Sequence, residues 1–265
     1  MTARPPASPI PSATILLVRD GRGGAIEVFM VQRHHQVDFA SSALVFPGGK
    51  VDAADRDPAL RARCAGTAGL DEDAFALRVA AVRETFEESG VLVARRRGAA
   101  ALLSQRDAAA LEARHRAELN AGRIGMRAIA EREDLELACD ALVPFAHWIT
   151  PEFMPKRFDT HFYLVAAPAD QAAAHDGGES VDSLWIAVDQ AVADARARRR
   201  SIIFPTLRNL VKLGRSRSVA EALERARREP IVTVLPTLGR GASGPVIRIP
   251  EAAGYDVVEA ALDEA

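Results

Sequence analysis

The chain has 265 residues, a net charge of −2, 48% hydrophobic and 26% charged residues. That length supports one large or two small domains with a real core, and the composition is that of an ordinary globular protein. The near-neutral balance favours neither nucleic acid nor an acidic membrane surface as a partner. Two widely spaced cysteines, Cys64 and Cys139, exclude a disulfide scaffold and a cysteine zinc site and fit a reducing cytoplasm.

Residues 1–11 are rich in Pro and Ala, lack the apolar core of a secretory signal, and read as a loose arm. Ala13 to Arg19 has a buried-strand pattern, Asp20 to Gly24 is a turn cluster, and Glu27 to Arg33 resumes as a strand, which predicts a hairpin. His34 to Ser42 is a polar loop, and Leu44-Val45-Phe46 is a short strand running into Pro47-Gly48-Gly49. Lys50 to Gly69 has no strong periodicity. Acids at 71–73 then mark the first turn of a helix that runs to Ser89 and stops at Gly90, before an apolar strand, Val91-Leu92-Val93.

Further helices are predicted over Ala99 to Asn120 and Met126 to Glu133, with strands at Leu142 to Ile149, Thr160 to Ala167 and Ser183 to Val188. Helices at about Asp189 to Arg199, Pro205 to Leu213 and Val219 to Arg228 follow, and Ile231 to Leu235 with Val246 to Ile249 reads as a terminal hairpin. The class is α+β, a mixed sheet with helices on its faces. No apolar run approaches the ~18–20 residues that cross a bilayer. Heavy use of Ala and Arg leans towards a GC-rich bacterial source.

Chemistry concentrates at Glu84, Glu87 and Glu88. Steps of three and four place all three carboxylates on one side of a helix, where each like-charged pair costs about 0.2–0.5 kcal/mol. A hard divalent cation with oxygen ligands would offset that repulsion. Trp148 in a strand reads as core more readily than as a base-stacking platform, and His34, His35 and His161 make no metal-spaced set.

Pro47-Gly48-Gly49 followed by Arg83-Glu84-Thr85-Phe86-Glu87-Glu88-Ser89-Gly90-Val91 resembles the Nudix box, and chance coincidence of its five fixed residue types is only about 10⁻⁴ to 10⁻³ per chain. The resemblance implies an α/β/α sandwich that hydrolyses a nucleoside diphosphate derivative with Mg²⁺ or Mn²⁺. It implies that Glu84, Glu87, Glu88 and the Gly48 carbonyl hold metal, that Arg83 fixes the helix to the glycine loop, and that Glu84 or a loop acid takes a proton from water. Glu179, in a Gly-Gly-Glu turn, is the candidate loop acid. Arg33, Lys50, Lys156 and Arg157 are candidate phosphate donors.

The family places a glutamate eight residues before the arginine and glycine about fourteen before it. Here Gly49 lies 34 before Arg83 and Phe75 occupies the glutamate position. An insertion of about twenty residues is implied, at about 51–72, and Asp71, Glu72 or Asp73 are the candidate partners of Arg83. Insertion, His147-Trp148-Ile149-Thr150-Pro151 and Arg157-Phe158-Asp159-Thr160 together resemble the branch that includes mammalian peroxisomal and mitochondrial coenzyme A diphosphatases. That branch implies coenzyme A or acyl-coenzyme A as substrate. Arg33 and Phe46 to Gly49 match a coenzyme A signature, but Asp38 and Ser42 depart from it. The alternatives are another nucleoside diphosphate derivative, such as ADP-ribose or a nucleotide sugar, or a ligand sensor without turnover.

The expected organisation is an arm over 1–11, a Nudix domain over 12–229 with extra helices at about 99–134, and a C-terminal extension over 230–265. That tail suits either a cap on the sheet or pairing across a homodimer. A small-molecule partner in a bacterial cytoplasm is expected, with no role for nucleic acid or membrane.

Overall fold

The computed structural model describes residues 6–33, 43–168, 180–242 and 244–262. A long hairpin opens the fold, β1 (Ile10–Asp20) turning back into β2 (Ile26–Arg33) with Val18 opposite Val28. Alternation along β1 sends Ala13, Ile15 and Leu17 to one face of the sheet and Leu16 and Val18 to the other, and all five are fully buried. The sheet must therefore be covered on both sides. Ile10 and Pro11, assigned to the arm by composition, pair with Phe158 and Asp159 and belong to the sheet.

Two short strands follow, β3 (Leu44–Val45) on β2 and β4 (Gly48–Lys50) on β1. After single turns at Ala53–Arg56 and Pro58–Arg63 comes the long helix α1 (Glu72–Ser89). Its start is set by Asp71, whose side chain accepts the Ala74 N–H, with Glu72 and Asp73 in the first turn. Val91, Leu92 and Val93 are buried as the hydropathy predicts but form no strand. The backbone turns there, with the Ala94 N–H bonded to the Leu92 carbonyl, and β5 (Ala94–Arg96) starts only after the turn to pair with β6 (Leu135–Leu137).

Between β5 and β6 lies a helical insertion. Its first helix begins at α2 (Gln105–Leu111), later than the apolar pattern suggests, because the Ser104 hydroxyl caps it by accepting the Asp107 N–H. It continues through a π-helical turn (Glu112–Arg116) into α3 (Ala117–Asn120), and α4 (Met126–Arg132) follows. Cys64 and Cys139, distant in sequence, meet in the buried layer beneath, where the neighbouring Cys64 and burial push the Cys139 thiol well above its ordinary value.

The strands β7 (Val143–Ile149) and β8 (Phe158–Ala166) pair antiparallel, while β8 runs parallel to β1, so the sheet is mixed. After β9 (Ser180–Ala187), which joins β2, come α5 (Val188–Arg196), α6 (Phe204–Leu213) and α7 (Val219–Arg228). The main sheet has the order β10-β7-β8-β1-β2-β3, where β10 is Thr233–Val234, with β4 beside β1 and β9 beside β2. One face carries α1 and the insertion, and the other carries α5, α6 and α7. The expected α/β/α sandwich is present.

The terminal hairpin is shifted from its predicted place. Thr233–Val234 joins β7 in parallel, and the hairpin is formed by β11 (Thr237–Gly241) and β12 (Gly244–Arg248), with β13 (Glu259–Ala261) on its edge. Val234, Val246, Ile247 and Ile249 are buried as the apolar content suggests, but Ile231 is exposed and the tail divides between two sheets. It caps the face opposite α1: the Trp148 indole N–H donates to the Tyr255 hydroxyl at 2.8 Å, which donates to Asn209 at 2.8 Å. Among the described residues no helix is long and apolar enough to cross a membrane.

Replacing Tyr255 with Phe keeps the ring against Trp148 but leaves the indole N–H and the Asn209 oxygen without that partner. A loss of about 1–3 kcal/mol in urea unfolding is expected. Unchanged stability would show that the tail does not brace the sheet.

Candidate active site

The site is built where α1 crosses β4. Thr14 pairs with Gly48 and Ala13 with Gly49, drawing the glycine loop tight against β1. A Cβ on Gly48 would lie 2.5 Å from the Ala13 carbonyl oxygen, and one on Gly49 would lie 2.4 Å from Glu84 Oε1. No side chain fits at either position, and this close approach sets the Glu84 carboxylate directly over the loop. Glu88 is tied to the same loop, its Oε2 accepting the Gly48 N–H at 2.8 Å.

Arg83 occupies the centre. Its Nη1 donates to Glu84 at 2.9 Å and Glu87 at 2.8 Å, and its Nη2 to the Lys50 carbonyl and to Asp55, both at 2.8 Å. Its Nε donates to the other Asp55 oxygen at 2.9 Å, so all five N–H groups are used. The partner of Arg83 is therefore Asp55, and not one of the acids at 71–73. Asp71 caps α1, while Glu72 and Asp73 lie against Arg56 at the surface. Phe75, in the family's glutamate position, is buried beneath Arg61, whose guanidinium sits 4.3 Å from the ring centre. The signal was legible from the other direction: counted six forward from Gly49, the same spacing reaches Asp55.

Charge in this cluster is unbalanced, since Arg83 faces the carboxylates of Asp55, Glu84 and Glu87. Burial raises Glu84 to about 7, and Glu87 and Asp55 add to it against the opposing pull of Arg83. Burial raises Glu87 as well. Burial alone would lower Arg83, but its bond to Asp55 and the charges of Glu84, Asp55 and Glu87 carry it well above its ordinary value. One guanidinium shared among three carboxylates stays ionised without holding all of them ionised. An oxygen-only donor set with surplus negative charge is the chemistry a hard divalent cation fits, and Glu84, Glu87 and Glu88 could hold one after turning, since as placed the first two face Arg83, the third faces the Gly48 N–H, and their oxygens do not all come within 4.8 Å of one another.

The insertion braces this arrangement, which spacing did not reveal. Arg116 Nε donates to the Glu87 backbone carbonyl at 2.9 Å, at the carbonyl end of α1 where a cation is favoured.

The other predicted residues are dispersed. Lys50 is exposed at the rim of the loop, and Lys156 lies near the Phe158 ring. Arg157 is buried and donates to the carbonyls of Thr150 and Ala7 at 2.9 and 2.8 Å, which ties the N-terminal segment to the β7–β8 turn. Trp148 is core, on the face opposite α1. Arg33 ends β2, with its side chain outside the described residues, and Glu179 lies outside them altogether. His161 lies directly opposite His147 on β7, a neighbour that spacing along the chain did not suggest.

Exchanging Asp55 for Asn removes one of the three carboxylates on Arg83 and mispairs its Nε and Nη2 donors, and a loss of about 1–3 kcal/mol is expected in denaturant unfolding. A pH dependence with a definite sign follows from Glu84. Its folded pKa of about 7 lies above the ~4.3 of an unfolded glutamate, so its contribution is fully present below about pH 4 and lost as pH rises through 7. The Tm of protein kept in chelator should fall between pH 5 and 8, and Glu84→Gln should flatten that slope.

The family model of the NUDT19 Nudix domain matches residues 61–213, more than half of the chain. "Putative nudix hydrolase 7" of Caenorhabditis elegans is 29% identical over 70% of this chain and 55% of its own length. "Acyl-coenzyme A diphosphatase NUDT19" of Xenopus laevis is 23% identical over 71% of this chain and 59% of its own length. The chain thus spans somewhat more than half the length of these curated relatives. A crystal structure of a Nudix hydrolase from Alicyclobacillus acidocaldarius superposes with a TM-score of 0.66 at 25% identity, covering 82% of this chain and 96% of that one. Fold, glutamate helix and family match agree, and the chain belongs to the Nudix hydrolase family, in the branch defined by the NUDT19 Nudix domain.

Proposed function

We propose that the protein hydrolyses the diphosphate bond of a nucleoside diphosphate derivative in a Mg²⁺- or Mn²⁺-dependent reaction. The substrate we favour is coenzyme A or acyl-coenzyme A, with water adding across the P–O–P link to release 3′,5′-ADP and (acyl-)4′-phosphopantetheine. The observation that carries the reaction class is the oxygen-only cluster of Glu84, Glu87 and Glu88, fixed over Gly48-Gly49 by Arg83 and Asp55. The substrate rests on the coenzyme A-type motifs and on the relative named an acyl-coenzyme A diphosphatase.

In this reading Glu84, Glu87, Glu88 and the Gly48 carbonyl hold the cation. Once bound, the cation would neutralise the phosphate oxygens and lower the pKa of water. Arg83 and Asp55 position the helix and touch no substrate. Either Glu84, set against the glycine loop, or Glu179, the candidate loop acid, would take the proton from water. Lys50, exposed beside the loop, and Arg33, at the end of β2, are the proposed phosphate donors. We assign Arg157 to structure instead, because its guanidinium is buried against backbone carbonyls. The box then runs unbroken from Gly49 to Asp55, and the extra residues within the box lie between Asp55 and α1, apart from the helical insertion between β5 and β6. We place the activity in a bacterial cytoplasm, on a freely diffusing small molecule.

Glu87→Gln and Glu88→Gln should each lower kcat by more than about 100-fold, the scale of several kcal/mol of lost charge stabilisation. Chelation should abolish turnover and Mg²⁺ or Mn²⁺ restore it. Release of 3′,5′-ADP from coenzyme A by the pure protein checks the substrate. Clear cleavage of ADP-ribose or a nucleotide sugar, with coenzyme A at background, would replace the substrate and keep the class. Near-normal activity in both glutamine variants would overturn the site.

A further inference from the structure

The sheet face that carries the glutamate helix holds a second cluster of metal-ligating side chains, farther along the sheet. Asp159 and His161 on β8 share the parity of Tyr163 and Val165, which pack into the core layer beneath α1. His147 on β7 stands directly opposite His161. Their imidazoles stack with centroids 4.0 Å apart and planes at 22°. His147 Nε2 lies 2.5 Å from Asp159 Oδ1, and His161 Nε2 lies 3.8 Å from the same oxygen. One ligand atom from each residue falls within 4.8 Å of the other two.

We propose that His147, Asp159 and His161 form a binding site for a borderline divalent cation of the zinc class, separate from the glutamate cluster. Two imidazoles and one carboxylate suit Zn²⁺, Co²⁺ or Ni²⁺, whereas Mg²⁺ takes oxygen ligands and dehydrates reluctantly. Three protein ligands leave a coordination position open, the pattern of zinc sites that exchange water or bind a further ligand. The side chains are 15%, 33% and 35% exposed for His147, Asp159 and His161, so an ion has a route in.

The site needs the two imidazoles to turn out of their stack so that their ligand nitrogens, within 4.8 Å of each other, converge, with smaller shifts at Asp159. With metal–ligand bonds of about 2.0–2.2 Å, donor atoms in a tetrahedral site stand about 3.3 Å apart. The short His147–Asp159 contact must open and the His161–Asp159 distance must close, each by less than about 1 Å, within reach of side-chain rotation. The second nitrogen of His147, Nδ1, lies 2.8 Å from the Thr233 hydroxyl on β10, the outer partner that orients a ligating imidazole.

Strand register also separates the two centres. Gly49, Ala13, His161 and His147 form one row across β4, β1, β8 and β7. At about 4.8 Å per strand, His161 is about 10 Å from the glycine loop at the backbone.

The test is metal binding by the full-length protein stripped with chelator and returned to excess Mg²⁺. Calorimetry should find one equivalent of Zn²⁺, and Co²⁺ should give the visible absorption of a nitrogen-ligated, low-coordinate ion. Glu87→Gln should leave both signals intact. His147→Ala and His161→Ala should each weaken Zn²⁺ binding by more than about 100-fold, and Thr233→Val by about 10–100-fold. In the unmodified protein, Zn²⁺ should protect His147 and His161 from diethyl pyrocarbonate, read by peptide mass spectrometry, so the outcome does not depend on folding of the variants. Absence of Zn²⁺ binding in excess Mg²⁺, loss of it in Glu87→Gln, or full binding in both histidine variants would overturn the proposal.

Discussion

The Arg83 guanidinium organises this protein. Its five N–H groups join the glutamate helix to the glycine loop through the Lys50 carbonyl, to the following turn through Asp55, and to two of the box carboxylates. A buried cation with all its donors used tolerates little displacement, because any lost partner leaves desolvated charge behind. The glutamates are held in place by a group of opposite sign, yet they outnumber it. Rigidity and surplus negative charge thus come from one interaction.

That interaction depends on packing built around it. Gly49 lets Glu84 approach the loop, β1 holds the loop by pairing, and Arg116 from the insertion meets the carbonyl end of α1. The insertion is therefore part of the support of the glutamate helix. On the opposite face, Tyr255 and the C-terminal strands close the sheet over Trp148. Both long additions to the common fold cover apolar sheet surface, one on each side.

Local patterning carried far. The hairpin, α1, α7 and the two layers were legible because amphipathic period and capping residues act over a few neighbours, as Asp71 and Ser218 do. Errors fell where backbone geometry overrode hydropathy. Val91 to Val93 is apolar and buried, yet a turn keeps it out of a strand. The tail's apolar pieces joined two different sheets, since a strand-like run does not name its partner. Arg157 looked available for substrate because charge is visible in a sequence and burial is not, whereas Trp148 is core as its place in a strand suggested.

By itself the sequence determined the family and the glutamate helix, since both follow from residue identity at short spacing. The tertiary structure decided which acid meets Arg83, because the choice between Asp55 and the acids at 71–73 depends on how the intervening segment folds back. It also decided that His147, Asp159 and His161 converge. They come from two strands, and only the pairing register of β7 with β8 turns their separation along the chain into contact.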